Sequence, residues 1–231
     1  MLELQDVHAY YGDSHILKGV SMEIRKGKLA TLLGRNGAGK TTTLRSIVGI
    51  IPPRKGSVIF DGKHISGEKP HQIASLGVGY VPEERAIFPS LSVLENLTLP
   101  SKKNRTGFWN LEKIFAHFPV LKDRGHQRGS QLSGGEQQML AIARIFTMNI
   151  KLLLLDEPTE GLAPALRQQI ATILEEIKKS EITILLVEQN MKFATKVADQ
   201  HHILYNGQIS YRGSNAQFKA DKEAQLRYLG V

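Results

Sequence analysis

A lysine and a threonine that close a glycine-rich run, GRNGAGKT at 34–41, have the types and spacing to do chemistry. Gly34, Arg35, Asn36, Gly37, Ala38, Gly39, Lys40 and Thr41 satisfy G-x-x-x-x-G-K-[ST] at every fixed position. Glycines let backbone N–H groups turn inward around phosphates, and the N-terminus of a following helix adds partial positive charge. Lys40 would neutralise the β- and γ-phosphates, the Thr41 hydroxyl would ligate Mg²⁺, and Thr42 stands next in line as a further nucleotide contact. An apolar run ending in acid, LLLLDEP at 152–158, is the second element. Its strand would deliver Asp156 to hold Mg²⁺ through water and Glu157 to accept a proton from an attacking water, and Pro158 ends the strand. The third element is LSGGEQQ at 132–138, where Ser133 fits a helix N-cap. Capping does not explain Gly134 and Gly135, which are poor helix formers, whereas bare backbone for an approaching anion does. One chain rarely needs two phosphate-binding elements for one nucleotide, so this one is expected to serve a nucleotide held by another subunit.

These residues need strands and helices to hold them. Residues 2–8 and 20–24 alternate apolar and polar as half-buried strands do, and 29–33 (LATLL) reads as a strand buried on both faces. A helix is predicted over 40–48, a strand with an Asp-Gly turn over 57–65, a short helix over 72–76 and a buried strand over 78–82. From about 84 to 150 strand patterns give way to helical segments at 93–97, 111–118 and 136–147, which reads as a helical insertion into an α/β core. Strand and helix then alternate again: strands at 152–156, 182–187 and 201–205, helices over 164–179 and from Asn190. Asn206-Gly207 predicts a hairpin into 208–212, and one terminal helix is predicted over 215–229. Residues 1–231 therefore read as a single domain.

Composition narrows the partners. With 41% hydrophobic and 23% charged residues the chain is an ordinary globular protein, and no apolar run approaches the ~18–20 residues that span a bilayer. The opening MLELQDV lacks a basic flank and an apolar core, which argues against a signal peptide. The absence of cysteine excludes disulfides and thiolate metal sites. Thirty Lys and Arg against 22 Asp and Glu give +8, but the excess is scattered. The densest clusters, Lys102–Lys103–Arg105 and Lys178–Lys179, are short and carry no interleaved aromatics, so a solvated basic surface is expected rather than a nucleic-acid interface.

Together these motifs resemble the nucleotide-binding subunit of an ATP-binding cassette transporter, over essentially the whole chain. That resemblance implies an α/β fold: a P-loop NTPase (RecA-like) core sheet, an N-terminal antiparallel β subdomain and an inserted α-helical subdomain. It also implies an ATPase that uses ATP and Mg²⁺ and works as a pair of subunits sandwiching two nucleotides, each signature serine reaching the partner's phosphate loop. Tyr11, in AYYG at 9–12, matches the aromatic that stacks on adenine. Two positions depart from the general pattern. Glu83 stands where a glutamine usually senses Mg²⁺ and water, and Gln189 where a histidine usually contacts the γ-phosphate. A neutral amide can donate to phosphate but carries no charge.

These departures, with IFPSLSVLENL at 87–97, EGLAP at 160–164 and LLVEQN at 185–190, are similar to the smaller ATPase of bacterial branched-chain amino acid importers. ATPases of urea and amide importers are similar as well. The resemblance implies a second ATPase subunit (a related paralogue or a second copy), membrane permease subunits and, through them, a periplasmic or extracellular solute-binding protein. It implies a peripheral position on the cytoplasmic face of the inner (plasma) membrane. Residues 161–164 would cross the subunit interface. DNA-repair and translation ATPases share the motif set, but the former carry a long coiled coil, absent here, and the latter two cassettes per chain.

Overall fold

β7 (Leu152–Asp156) is buried at every position. Its apolar run is unbroken because helices cover both faces of its sheet, so neither side of the strand meets water. The computed structural model describes residues 1–99 and 109–230; the basic cluster Lys102–Lys103–Arg105 lies outside them. The main sheet has six strands in the order β10 (Gln208–Ser214), β9 (Gln200–Tyr205), β3 (Leu29–Leu33), β8 (Thr183–Glu188), β7 and β6 (Val78–Val81). All neighbours run parallel except β10, which turns back on β9 through Asn206-Gly207. A second, antiparallel sheet is ordered β2 (Ser14–Ile24), β1 (Leu2–Tyr11), β4 (Lys55–Phe60) and β5 (Lys63–His64).

Alternate residues of the central strands feed two cores. Leu153, Leu155, Ile184 and Leu186 pack with the helices α6 (Gly134–Phe146) and α7 (Pro164–Lys179). Leu152, Leu154, Leu185 and Val187 pack with α1 (Lys40–Ile47) and with Leu4, Val20 and Phe60 of the antiparallel sheet. The remaining helices are α2 (Pro70–Ser75), α3 (Val93–Thr98), α4 (Leu111–His117), α5 (Pro119–Asp123), α8 (Met191–Val197), α9 (Asn215–Ala220) and α10 (Lys222–Leu229). Between β6 and β7 the described residues form no strand, only an isolated bridge from Ser92 to Arg128.

The structure corrects several predicted boundaries. The terminal helix is two helices, because Asp221 leaves helical geometry (ψ 79°) and caps α10 by accepting from the Ala224 N–H at 2.9 Å. The strand at 57–65 is a hairpin, turned at Asp61-Gly62. β1 and β2 extend well past the alternating stretches to meet as a hairpin ending at Tyr11 and Ser14, with register shifts that scramble the period-two pattern. α5 was hidden behind Pro119, which occupies its first turn.

Parallel register brings the working ends of the strands out together. Leu33 lies beside Glu188, Asp156 beside Val187, and Val81 beside Leu155. The loops that follow β3, β6, β7 and β8 therefore emerge on one edge, where open α/β sheets bind ligands.

Candidate active site

After β3 the chain runs through the glycine-rich loop into α1. Gly37 (φ 78°) and Gly39 (φ 108°) take left-handed backbone, and a Cβ at Gly39 would lie 2.8 Å from Leu17 Cδ2. α1 begins without a side-chain cap and without an acid in its first turn, so its leading N–H groups suit an anion. Lys40 is 5% exposed. Its Nζ donates to the Gly34 carbonyl at 3.0 Å and the Arg35 carbonyl at 3.3 Å, and lies 3.2 Å from Glu157 Oε1. A cleft of about 370 Å³ is lined on this side by Asn36, Gly37, Gly39, Lys40, Thr41 and Thr42. Its other wall carries Glu83, Glu157, Glu160 and Gln189, with Ile16 at the margin. Gly34 and Arg35 line an adjoining hollow with Gln189, and Ala38 turns into the core.

Asp156 is 1% exposed. Its Oδ1 accepts from the Thr41 hydroxyl and its Oδ2 from the Tyr80 hydroxyl, each at 3.2 Å. Burial pushes its pKa up to about 6, the hydrogen bonds from Thr41 and Tyr80 oppose this, and the nearby carboxylates of Glu157 and Glu83 add to it. A carboxylate raised in this way is stabilised as the anion by a cation. Asp156, Thr41 and Glu83 are hard oxygen donors that fit Mg²⁺, an ion that takes most of its other ligands from phosphate and water.

Glu157 has φ 45°, a left-handed conformation costing ~1–3 kcal/mol in a residue with a side chain, and its N–H donates to the Val187 carbonyl at 3.0 Å. The Gln189 amide donates to Glu157 Oε2 at 2.6 Å. Glu157 thus lies between a buried ammonium and an amide, facing the glycine-rich loop. Glu160 stands next to it, its pKa raised first by a hydrogen bond with Glu157 and then by burial.

Two groups of predicted residues stand apart. Tyr11 sits at the tip of the β1–β2 hairpin, 45% exposed, its hydroxyl accepting from Arg45 Nη1 at 3.3 Å. Ser133, Gly134 and Gly135 do not line the cleft of their own chain. Ser133 caps α6: its hydroxyl accepts from the Glu136 N–H at 3.3 Å, and its own N–H donates to Glu136 Oε2 at 2.7 Å. A Cβ at Gly135 would come within 2.2 Å of Leu166 Cδ1, the tip of a half-buried side chain on α7.

The sequence pattern of the ABC transporter family matches residues 17–160. The chain belongs to that family. It is 40% identical, over the full length of both chains, to the high-affinity branched-chain amino acid transport ATP-binding protein BraG of Pseudomonas aeruginosa. It is 33% identical to the lipopolysaccharide export system ATP-binding protein LptB of Escherichia coli, with 95% of this chain and 93% of that one covered. A solved structure of the ATP binding subunit of an ABC transporter superposes with a TM-score of 0.85 at 25% identity, covering 100% of this chain and 96% of the other.

As an ABC transporter cassette the chain binds and hydrolyses ATP, and the cleft between loop and carboxylates has the groups this requires. Among its described residues no helix is long and apolar enough to cross a membrane. Motif reasoning missed Tyr80 and Ile16, which reach the ABC site through strand pairing and through the β1–β2 hairpin, and Glu160, which follows Glu157 by three residues. The only local signal was for Glu160, which belongs to the DEPTEG run.

Proposed function

We propose that this ABC ATPase powers a bacterial importer of branched-chain amino acids. The observation that carries this is the 40% identity, end to end, with an importer ATPase of that class. In this reading residues 1–231 are one nucleotide-binding domain with a helical insertion at about 84–150, held peripherally on the cytoplasmic face of the membrane. Its partners are a second ATPase subunit, permease subunits and, through them, a solute-binding protein.

Glu157 takes a proton from the water that attacks the γ-phosphate in line. Gln189 holds the Glu157 carboxylate, and its second N–H is suited to a γ-phosphate oxygen. Lys40 exchanges loop carbonyls for β- and γ-phosphate oxygens, and Tyr11 stacks on the adenine. Asp156, Thr41 and Glu83 would hold Mg²⁺, which would supply charge neutralisation at the phosphates. Because Ser133–Gly135 stand outside their own cleft, they complete the site of the other subunit, and hydrolysis releases that bridge. The helical insertion and the loop at 83–89 carry the motion to the permease.

The test is reconstitution of the assembled transporter in vesicles with its solute-binding protein. Leucine, isoleucine or valine should raise ATP hydrolysis about tenfold or more, a barrier lowered by ~1.4 kcal/mol. Stimulation by urea or short amides instead would move the assignment to that importer class, and copurification with a lipopolysaccharide exporter would replace import altogether.

A further inference from the structure

One buried carboxylate in the molecule has no part in the mechanism above. Glu188, the last residue of β8, is 3% exposed. Its Oε1 accepts from the Thr159 hydroxyl at 2.7 Å. Its Oε2 accepts from the backbone N–H groups of Gln189 and Asn190, each at 3.2 Å. Burial pushes the Glu188 pKa up, and these same hydrogen bonds pull against it. An apolar residue here would leave the Thr159 hydroxyl and two backbone N–H groups without this acceptor, so the acid has a reason to be there despite the cost of burying it.

The reason lies in what its two oxygens connect. Thr159 follows Glu157 by two residues, and Gln189 and Asn190 open the turn into α8. The same two segments meet again where Gln189 Nε2 reaches Glu157 Oε2 at 2.6 Å and where the Glu157 N–H reaches the Val187 carbonyl. Glu157 sits in a left-handed backbone conformation that does not hold itself, so neighbouring contacts must fix it. Gln189 hangs on a flexible side chain that loses rotamer freedom whenever its amide is held in one place. A side chain with a single acceptor and no donor could serve either the hydroxyl or the two amides; a carboxylate serves both.

We infer that Glu188 is a positioning residue: by tying the turn after β7 to the turn after β8, it sets the Gln189 amide against the Glu157 carboxylate. The assignment rests on the reading of Glu157 as the base and Gln189 as its partner. Glu188 itself is buried and does not line the cleft.

The test compares Glu188→Ala, Glu188→Gln and Thr159→Val in the assembled transporter, with Glu157→Gln alongside. Glu188→Ala should lower kcat about tenfold or more, while KM for ATP and the affinity for a fluorescent ATP analogue stay within about twofold. Glu188→Gln should recover most of the loss, because its carbonyl can accept from both backbone amides and its NH2 can donate to Thr159 Oγ1. Thr159→Val should lower kcat in the same sense, and the double variant Glu188→Ala with Thr159→Val should be no worse than Glu188→Ala alone. Hydrogen exchange at the Gln189 and Asn190 amides should accelerate in Glu188→Ala and not in Glu188→Gln. Normal kcat in Glu188→Ala, a parallel loss of nucleotide affinity, or equal impairment of the Gln and Ala variants would overturn the inference. Should Glu188→Ala not fold, Thr159→Val decides: an unchanged kcat there also overturns it. Glu157→Gln separates the two ideas, since full turnover in that variant removes the base assignment itself. An inactive Glu157→Gln beside a normal Glu188→Ala refutes only the role of Glu188.

Discussion

Glu157 is held from three directions, by the Lys40 ammonium at 3.2 Å, the Gln189 amide at 2.6 Å and the Val187 carbonyl on its own N–H. None of these contacts requires a negative charge for the fold to persist, since a glutamine at 157 could keep an oxygen toward Lys40. Glu157→Gln should therefore leave ATP binding intact and remove the proton acceptor, lowering kcat by about 10²–10⁴. ATP held without hydrolysis should accumulate as a closed pair of subunits, seen as an ATP-dependent shift in size-exclusion chromatography. Turnover at the wild-type rate would refute the base assignment. At this scale the sequence was legible where chemistry depends on contiguous residues. The glycine-rich loop, the Asp156–Glu157 pair and the Ser133 cap are each built within a few positions, so their spacing carries their geometry. Tyr80 and Glu188 were not legible, because they reach the site through the pairing of β6, β7 and β8, and nothing local encodes which strands are neighbours.

Elements were read well where periodicity is clean and poorly where it breaks. β3 and β7 are buried on both faces and read as apolar runs, and α7 reads from its apolar stripe. The first half of β2 and the break at Asp221 escaped, since register shifts and a side-chain cap leave no periodic mark. α6 illustrates a subtler failure. Its glycines suggest only an anion site, yet a Cβ at Gly135 would also meet the tip of the half-buried Leu166 side chain on α7. Ala is the better helix former by ~1 kcal/mol, so propensity alone would make Gly135→Ala stabilising. The contact with Leu166 opposes that gain, and because this half-buried side chain can give way in part, the variant should lose at most about 1 kcal/mol in denaturant unfolding. Adding Leu166→Ala should recover part of the Gly135→Ala loss, measured against Leu166→Ala alone. A stabilised single variant would mean that the Leu166 side chain turns aside at little cost.

Across the whole molecule, function and stability draw on the same six-stranded sheet, and its two kinds of buried titratable group work against each other. At the loop edge burial raises Asp156 to about 6, so its proton is bound more tightly in the folded chain than in the unfolded one. That term favours the fold as pH falls from about 6 toward 4. On β9, by contrast, His202 is fully buried and lowered to about 4, first by burial and then by Arg212, which stands opposite it across the β9–β10 pair. Its neighbour His201 is lowered too, again by burial first, although it is bonded to Thr31 and Asn215. An imidazole whose folded pKa lies below its unfolded value of 6.5 leaves stability intact above about pH 6.5. Stability is then lost as pH falls toward 4, because the unfolded chain takes up the proton first. The opposing terms can leave the wild-type profile shallow, so the informative quantity is a difference between two chains. His202→Leu removes the imidazole and leaves Asp156 in place. Between pH 7 and pH 4 its stability relative to wild type should rise by up to about 3 kcal/mol, as read from urea unfolding at matched ionic strength. Parallel profiles would mean that His202 is protonated within the fold or that β9 opens before the rest of the sheet. Amide exchange along β9 distinguishes these, because early opening would expose its amides while β7 and β8 stay protected.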